Sequence, residues 1–181
     1  MALPEPVERL WRDLESVRAD VLREAEGLSQ AQADWKPGEK DWSVGEIVHH
    51  LTIAEIATGK LTTKLTRDAD AAGTLKPFPA DLRELKGVAI DSASRAEAPP
   101  VVWPEAGKPI ATLIADMKAV RARSRQSIEK LGAVDPRPLV FKHFALGDLD
   151  LAQWWQLQAS HDATHLRQIR AVKAAPGFPK A

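Results

Sequence analysis

Apolar residues recur at every third or fourth position through four long stretches of this chain, and no stretch of similar length alternates apolar with polar side chains. Such a repeat gathers its apolar members on one side of a helix, whereas on a strand it would scatter them over both faces. The first stretch, from about Pro4 to Leu28, carries Val7, Leu10, Trp11, Leu14, Val17, Val21, Ala25 and Leu28, with Pro4 and Pro6 at its entrance. The second opens at Trp42-Ser43-Val44-Gly45-Glu46-Ile47. There Ser43 takes the N-cap, Glu46 returns to the cap's N–H, and Trp42 against Ile47 forms a hydrophobic staple. Ile47, His50, Leu51, Ala54, Thr58, Leu61 and Leu65 then share one arc until Ala72-Gly73 stops the helix. The third carries Ile110, Leu113, Ile114, Met117, Val120, Ser124, Ile128 and Leu131 and is closed by Gly132. Its other face, with Lys118, Arg121, Arg123, Arg125, Glu129 and Lys130, reads as solvated surface. The fourth begins at a capping box of Asp150 and Gln153, flanked by Leu149 and Trp154, and ends at Pro176-Gly177.

Four helices without strand patterning predict an all-α four-helix bundle, a single domain over residues 1–181. The segments 29–41 and 133–147 read as loops. Between the second and third helices, residues 74–109 hold Pro77, Pro79, Pro99, Pro100, Pro104 and Pro109, too many for continuous helix. This is a long crossover with room for a short helix around Asp81–Leu85. A passage between helices is its plainer reading and a lid over a site the sharper one.

Histidine placement points to chemistry. His161 and His165 lie four residues apart and so share a helix face, while His50 falls in the buried stripe of the second helix. A lone imidazole in such a stripe is ordinarily a hydrogen-bonded core residue. Three around one point need partners for every nitrogen, and a divalent cation satisfies them together. Three imidazole ligands leave coordination positions open for water or substrate. Gln168, one turn past His165, and Glu55, at the edge of the second helix's stripe, are candidates to orient the ligands through their outer N–H groups. His49 projects to the far side with Ile53 and Ile56, an apolar side that suggests self-association, and His143 lies in a loop without comparable placement. Trp42, Trp154 and Trp155 read as packing anchors.

Composition narrows the chemistry. The 25 basic and 25 acidic side chains cancel, which argues against a nucleic-acid or anionic-membrane partner. No apolar run nears the roughly 20 residues a bilayer span needs, and MALPEPVERLW lacks signal-peptide character, so a soluble cytoplasmic protein is expected. There is no cysteine, so histidine and carboxylate are the only strong transition-metal ligands and any reacting thiol must come from outside.

The combination of DWKPGEKDWSVGEIVHHL, a long crossover, FKHFALGDLDLAQWW and HDATHLRQI, in that order over nearly the whole chain, resembles the DinB/YfiT-like superfamily. Its members are four-helix proteins regarded as metalloenzymes, many without an assigned activity. The resemblance implies a divalent metal, commonly zinc or nickel, held by His50, His161 and His165, in a bundle that often forms a homodimer. Some members are S-transferases that use low-molecular-weight thiols, and others are thiol-dependent isomerases. The family often has a further histidine where this chain has Thr164, a departure that leaves the ligand triad intact. The leading expectation is therefore a metal-dependent thiol S-transferase. The alternatives are a metal-dependent hydrolase, for which Glu55 is the candidate base, and a non-enzymatic dimer that binds metal or a small ligand.

Overall fold

The computed structural model describes residues 2–86 and 100–180. Four long helices build it: α1 (Glu5–Ala25), α3 (Val44–Ala71), α4 (Ile110–Ala133) and α5 (Leu151–Ala174). A short α2 (Gln30–Asp34) follows α1, and an antiparallel hairpin of β1 (Val140–His143) and β2 (Gly147–Asp150) precedes α5. The all-α bundle expected from periodicity is present, with a small sheet added.

Both sequence-read capping boxes form. Ser43 Oγ accepts from Glu46 N–H at 3.2 Å and Glu46 returns to Ser43 N–H at 2.8 Å. Asp150 and Gln153 exchange the same pair of bonds at 3.0 Å each. A third box, Ser29 with Gln32, starts α2 inside the segment read as a loop. α3 stops where expected, followed by Gly73 at φ +65°. Gly132 does not end α4, which runs on to Ala133. A methyl group there would stand 3.0 Å from Pro4 Cδ and 3.3 Å from Leu3 Cδ2, so the absent side chain lets the N-terminal segment cross the helix.

The hairpin replaces the second expected loop. Its strands of four residues are too short to show alternation, and β1 is largely exposed. Two side chains hold it: Trp154 Nε1–H donates to Phe141 O at 3.1 Å, and His143 Nδ1 accepts from the N–H groups of Ala145 and Leu146 at 3.2 Å.

The core has two lobes. One gathers Val21, Ala25, Val44, Ile47, Leu51, Leu113, Met117, Leu166 and Ile169, and the other Val7, Leu10, Leu14, Ile128, Leu131, Leu151 and Trp155. Each long helix enters both lobes, α3 reaching the second through the partly buried Leu65 and Ala69, and the order in which it does so gives its direction. α1 and α5 run from the second lobe to the first; α3 and α4 run from the first to the second. Thus α3 and α4, which pack together, are parallel, and the link between them must return along the bundle, about 40 Å for a helix of this length.

The described ends of the crossover mark that return. Lys76 O accepts from Asp135 N–H at 2.8 Å beyond the end of α4. Residues 83–85 then lie along α5, with Leu85 N–H on Gln156 Oε1 (2.6 Å), Gln156 Nε2 on Arg83 O (2.8 Å) and Gln153 Nε2 on Glu84 O (3.3 Å). The short helix expected at Asp81–Leu85 is therefore absent, because side chains of α5 take the backbone groups a helix would have paired internally. At its far end the crossover makes a single 3-10 turn, Pro100–Val102, against the start of α3.

Candidate metal centre

His50 lies on the buried side of α3, and His161 and His165 lie one turn apart on α5, which packs against it. The Nε2 atoms meet: His161 Nε2 is 2.9 Å from His50 Nε2 and 3.1 Å from His165 Nε2, and all three donors fall within 4.8 Å of one another. The outer nitrogens fix two tautomers. His50 Nδ1–H donates to Val102 O at 2.7 Å and His165 Nδ1–H donates to Gln168 Oε1 at 2.7 Å. Both rings therefore turn an unprotonated Nε2 inward. A neutral His161 can offer one N–H at most, to one of the two, so at least one inward lone pair has no proton to meet.

Protonation does not relieve this. Burial, reinforced by the charge His165 would carry, holds the His50 pKa down at about 4, well under the ordinary histidine value. Burial followed by the two neighbouring imidazoles pushes His161 well down, and burial lowers His165 as well. Three neutral imidazoles facing one point fit a divalent cation, which takes all three lone pairs together. The hydrogen-bonded outer N–H groups are the arrangement that orients metal-binding histidines.

Trp42 flanks the group. Its ring is tilted over His50 with centroids 4.7 Å apart and lies nearly parallel to His165 at 6.0 Å. Trp42 also rests on the first core lobe, to which Ile47 belongs, but the rings of the triad are among its neighbours. Trp155 is fully buried and donates to Thr62 Oγ1 at 3.0 Å, in keeping with a packing role. His49 has no place in the triad; its Nδ1 accepts from Glu105 N–H at 2.9 Å. Thr164 turns along its own helix, donating to Ser160 O at 3.1 Å and accepting from Arg167, and so lends nothing to the centre.

Glu55 is not where the sequence reading put it. It is fully buried and engaged by two arginines rather than by a histidine: Arg121 Nε donates to its Oε1 at 2.8 Å, and Arg18 Nη2 lies 2.8 Å from its Oε2. Arg121, read as solvated surface, is itself buried, and also donates to Leu14 O. Asp162, between the two α5 histidines, accepts from Arg18 Nε at 2.9 Å, Arg121 Nη2 at 3.3 Å and Gln158 Nε2 at 3.0 Å. Burial acts to raise the Glu55 pKa, but the two guanidinium groups outweigh it and hold the carboxylate below its ordinary range. Four charges thus form a layer between the apolar lobes, next to the triad. A sequence signal existed for it. Arg18, Glu55, Arg121 and Asp162 each occupy a core position of their helix, following Leu14, Leu51, Met117 and Gln158 by four residues.

Fold and site together define a class: four-helix bundles with a long crossover whose interior presents three neutral histidines able to hold a metal ion. The chain belongs to the DinB superfamily, whose family profile matches residues 13–169. It is similar to the uncharacterized protein YuaE of Bacillus subtilis (strain 168), 24% identical over 160 residues that cover 86% of this chain and 92% of that one. Among solved structures it is similar to TT2238, described as a four-helix bundle protein, with a TM-score of 0.63 and 19% identity over 91% of this chain and 98% of that one. That likeness concerns the fold.

Proposed function

We propose that this protein is a divalent-metal-dependent transferase that joins a low-molecular-weight thiol to an electrophile, with His50, His161 and His165 as ligands to zinc or nickel. The observation that carries the reading is the pair of inward Nε2 lone pairs on His50 and His165, fixed by Val102 O and Gln168 Oε1 and facing a third neutral ring. Three imidazoles leave coordination positions open for an exchangeable ligand. Because the chain has no cysteine, the sulfur nucleophile comes from solution.

In the reaction R–SH + R′–X → R–S–R′ + H⁺ + X⁻, a carbon–sulfur bond forms, the carbon–X bond breaks, X departs with its electron pair and the thiol proton passes to solvent. A bound cation would supply Lewis acidity that lowers the thiol's pKa from about 8.5 and so raises the thiolate fraction at neutral pH. The protein's own groups do the rest. The Val102 carbonyl and Gln168 amide keep the imidazoles aimed, and Trp42 covers one flank against water. The hydrolase alternative wants a free carboxylate base at the centre, and its candidate, Glu55, is held by Arg18 and Arg121.

The test is metal content and turnover. Protein purified without chelator should carry close to one zinc or nickel per chain and conjugate a small thiol to a generic electrophile. His161→Ala should lose both. Full metal occupancy with no turnover for any thiol would leave a binding protein instead; no metal in the wild-type protein, even after incubation with zinc or nickel, would end the reading.

A further inference from the structure

The end of the crossover carries a feature that the triad does not require. Trp103 follows the Pro100–Val102 turn and is 51% exposed, the largest of the exposed apolar side chains among the described residues. Its ring stands edge-on to Trp42, 6.0 Å between centroids and 85° between planes, and Trp42 in turn lies 4.7 Å from the His50 ring and 6.0 Å from that of His165. The two indoles therefore make a right-angled corner one ring's width from the imidazoles.

This corner is held in place rather than merely exposed. The residues on either side of Trp103 are fastened to neighbouring histidines of α3: Val102 O accepts from His50 Nδ1–H at 2.7 Å, and Glu105 N–H donates to His49 Nδ1 at 2.9 Å. Trp103 N–H closes the turn onto Pro100 O at 3.2 Å. Two of the charges on the flanking segments are paired, Glu105 with Lys108 at 3.2 Å and Glu46 with Lys36 at 2.7 Å. A rigid corner of two π faces selects by shape and stacking, and loses little on binding because it is preorganised.

Resting on the transferase reading of the centre, we propose that Trp42 and Trp103 form the subsite for the electrophile, and that the electrophile is a flat, electron-poor conjugated molecule. Such a ring stacks on one indole and meets the other edge to face, which puts its reacting carbon beside the histidine cluster. Saturated molecules of equal size fill the corner without that stacking and bind less well.

Binding is measured on the metal-loaded protein without any thiol, so that recognition is read apart from turnover. The probes are 1,3-dinitrobenzene, flat and lacking a leaving group, and nitrocyclohexane, of similar size but saturated, both followed by calorimetry. Wild-type protein should prefer dinitrobenzene by about tenfold. Trp103→Ala should weaken dinitrobenzene by about tenfold and nitrocyclohexane by much less, and Trp103→Phe should recover most of the loss; at this exposed position neither substitution threatens the fold. Equal binding of the two probes, an unchanged Kd in Trp103→Ala, or a change in sedimentation mass with no change in Kd would overturn the proposal, the last showing an indole that serves self-association. If the probe preference holds while no thiol is ever transferred, the subsite stands and the transferase reading falls. Turnover on flat electrophiles that is indifferent to Trp103 keeps the transferase reading and removes the subsite.

Discussion

Glu55 shows how much a single buried side chain can matter in this protein. Replacing it by glutamine leaves Asp162 as the one buried carboxylate shared by Arg18 and Arg121, with the half-exposed Glu15 3.5 Å from Arg121 Nη1. Removing one partner of a buried ion pair costs about 3–5 kcal/mol, so Glu55→Gln should lower the urea midpoint at pH 7 by a corresponding amount. Glu5, in an exposed pair with Arg9, should change stability by less than about 0.5 kcal/mol when replaced by glutamine. The sign of the pH effect follows from the depressed folded-state pKa of Glu55 relative to its ordinary 4.5. The unfolded chain binds this proton first, so the stabilisation is complete above pH 4.5 and is lost as pH falls through the lower folded value. Urea midpoints taken downward from pH 5 should drop more steeply for the wild type than for Glu55→Gln; parallel curves would contradict the assignment. The three histidines could be read from the sequence because helical spacing places them and three imidazoles around one point need a shared partner that a single core histidine does not. The charged layer was as visible in register but is easily passed over, since a charged residue is normally taken for surface. Only the packing of four helices brings Arg18 to Asp162, 144 positions away.

At the level of elements, Gly59 inside α3 and Gly132 in the last turn of α4 make opposite demands. Gly59 in α3 has ordinary contact room for a methyl group, 3.6 Å from Ser127 Oγ, so Gly59→Ala should stabilise by roughly 0.5–1 kcal/mol through helix propensity alone. Gly132→Ala, one residue from the end of α4, gains less propensity and drives its methyl into Pro4 and Leu3, and should be net destabilising by about 1 kcal/mol. Thermal melts of the two variants moving in opposite directions would check both; two increases would show that the N-terminal segment yields freely. Element boundaries were legible where a capping box marked them, as at Ser43 and Asp150. The same signal at Ser29 and Gln32 was present but lacked a long apolar run behind it, and α2 is only five residues long. The hairpin left no pattern of its own. It depends on Trp154 and His143 reaching backbone groups that local sequence does not announce.

For the whole molecule, the crossover length could be read from its prolines, but its reason could not: the parallel run of α3 and α4 emerges only from which lobe each end enters. The apolar side of α3 raised an expectation of self-association. Ile53 and Ile56 are half-buried, and the groove of about 430 Å³ beside Ile56 is lined by Lys60, Lys64, Arg67, Arg123 and Lys130. A two-fold contact on this face would set like charges against each other. Any dimer built there should therefore strengthen with salt, as screening weakens the repulsion. Light scattering at micromolar protein should show mass rising between low and high ionic strength; a constant monomer mass would exclude this face as an interface.

The ionic layer has a consequence for how this protein tolerates change. Each oily half is closed on its own side of the four charges, so a void opened in one has no neighbour in the other through which to collapse. Truncations of Leu14 and Leu131, which share a half, should interact, whereas those of Leu14 and Leu51 should simply sum. Sequence drift can thus proceed in one compartment without retuning the other, and it is Arg18, Glu55, Arg121 and Asp162, the partition itself, that must change together or not at all.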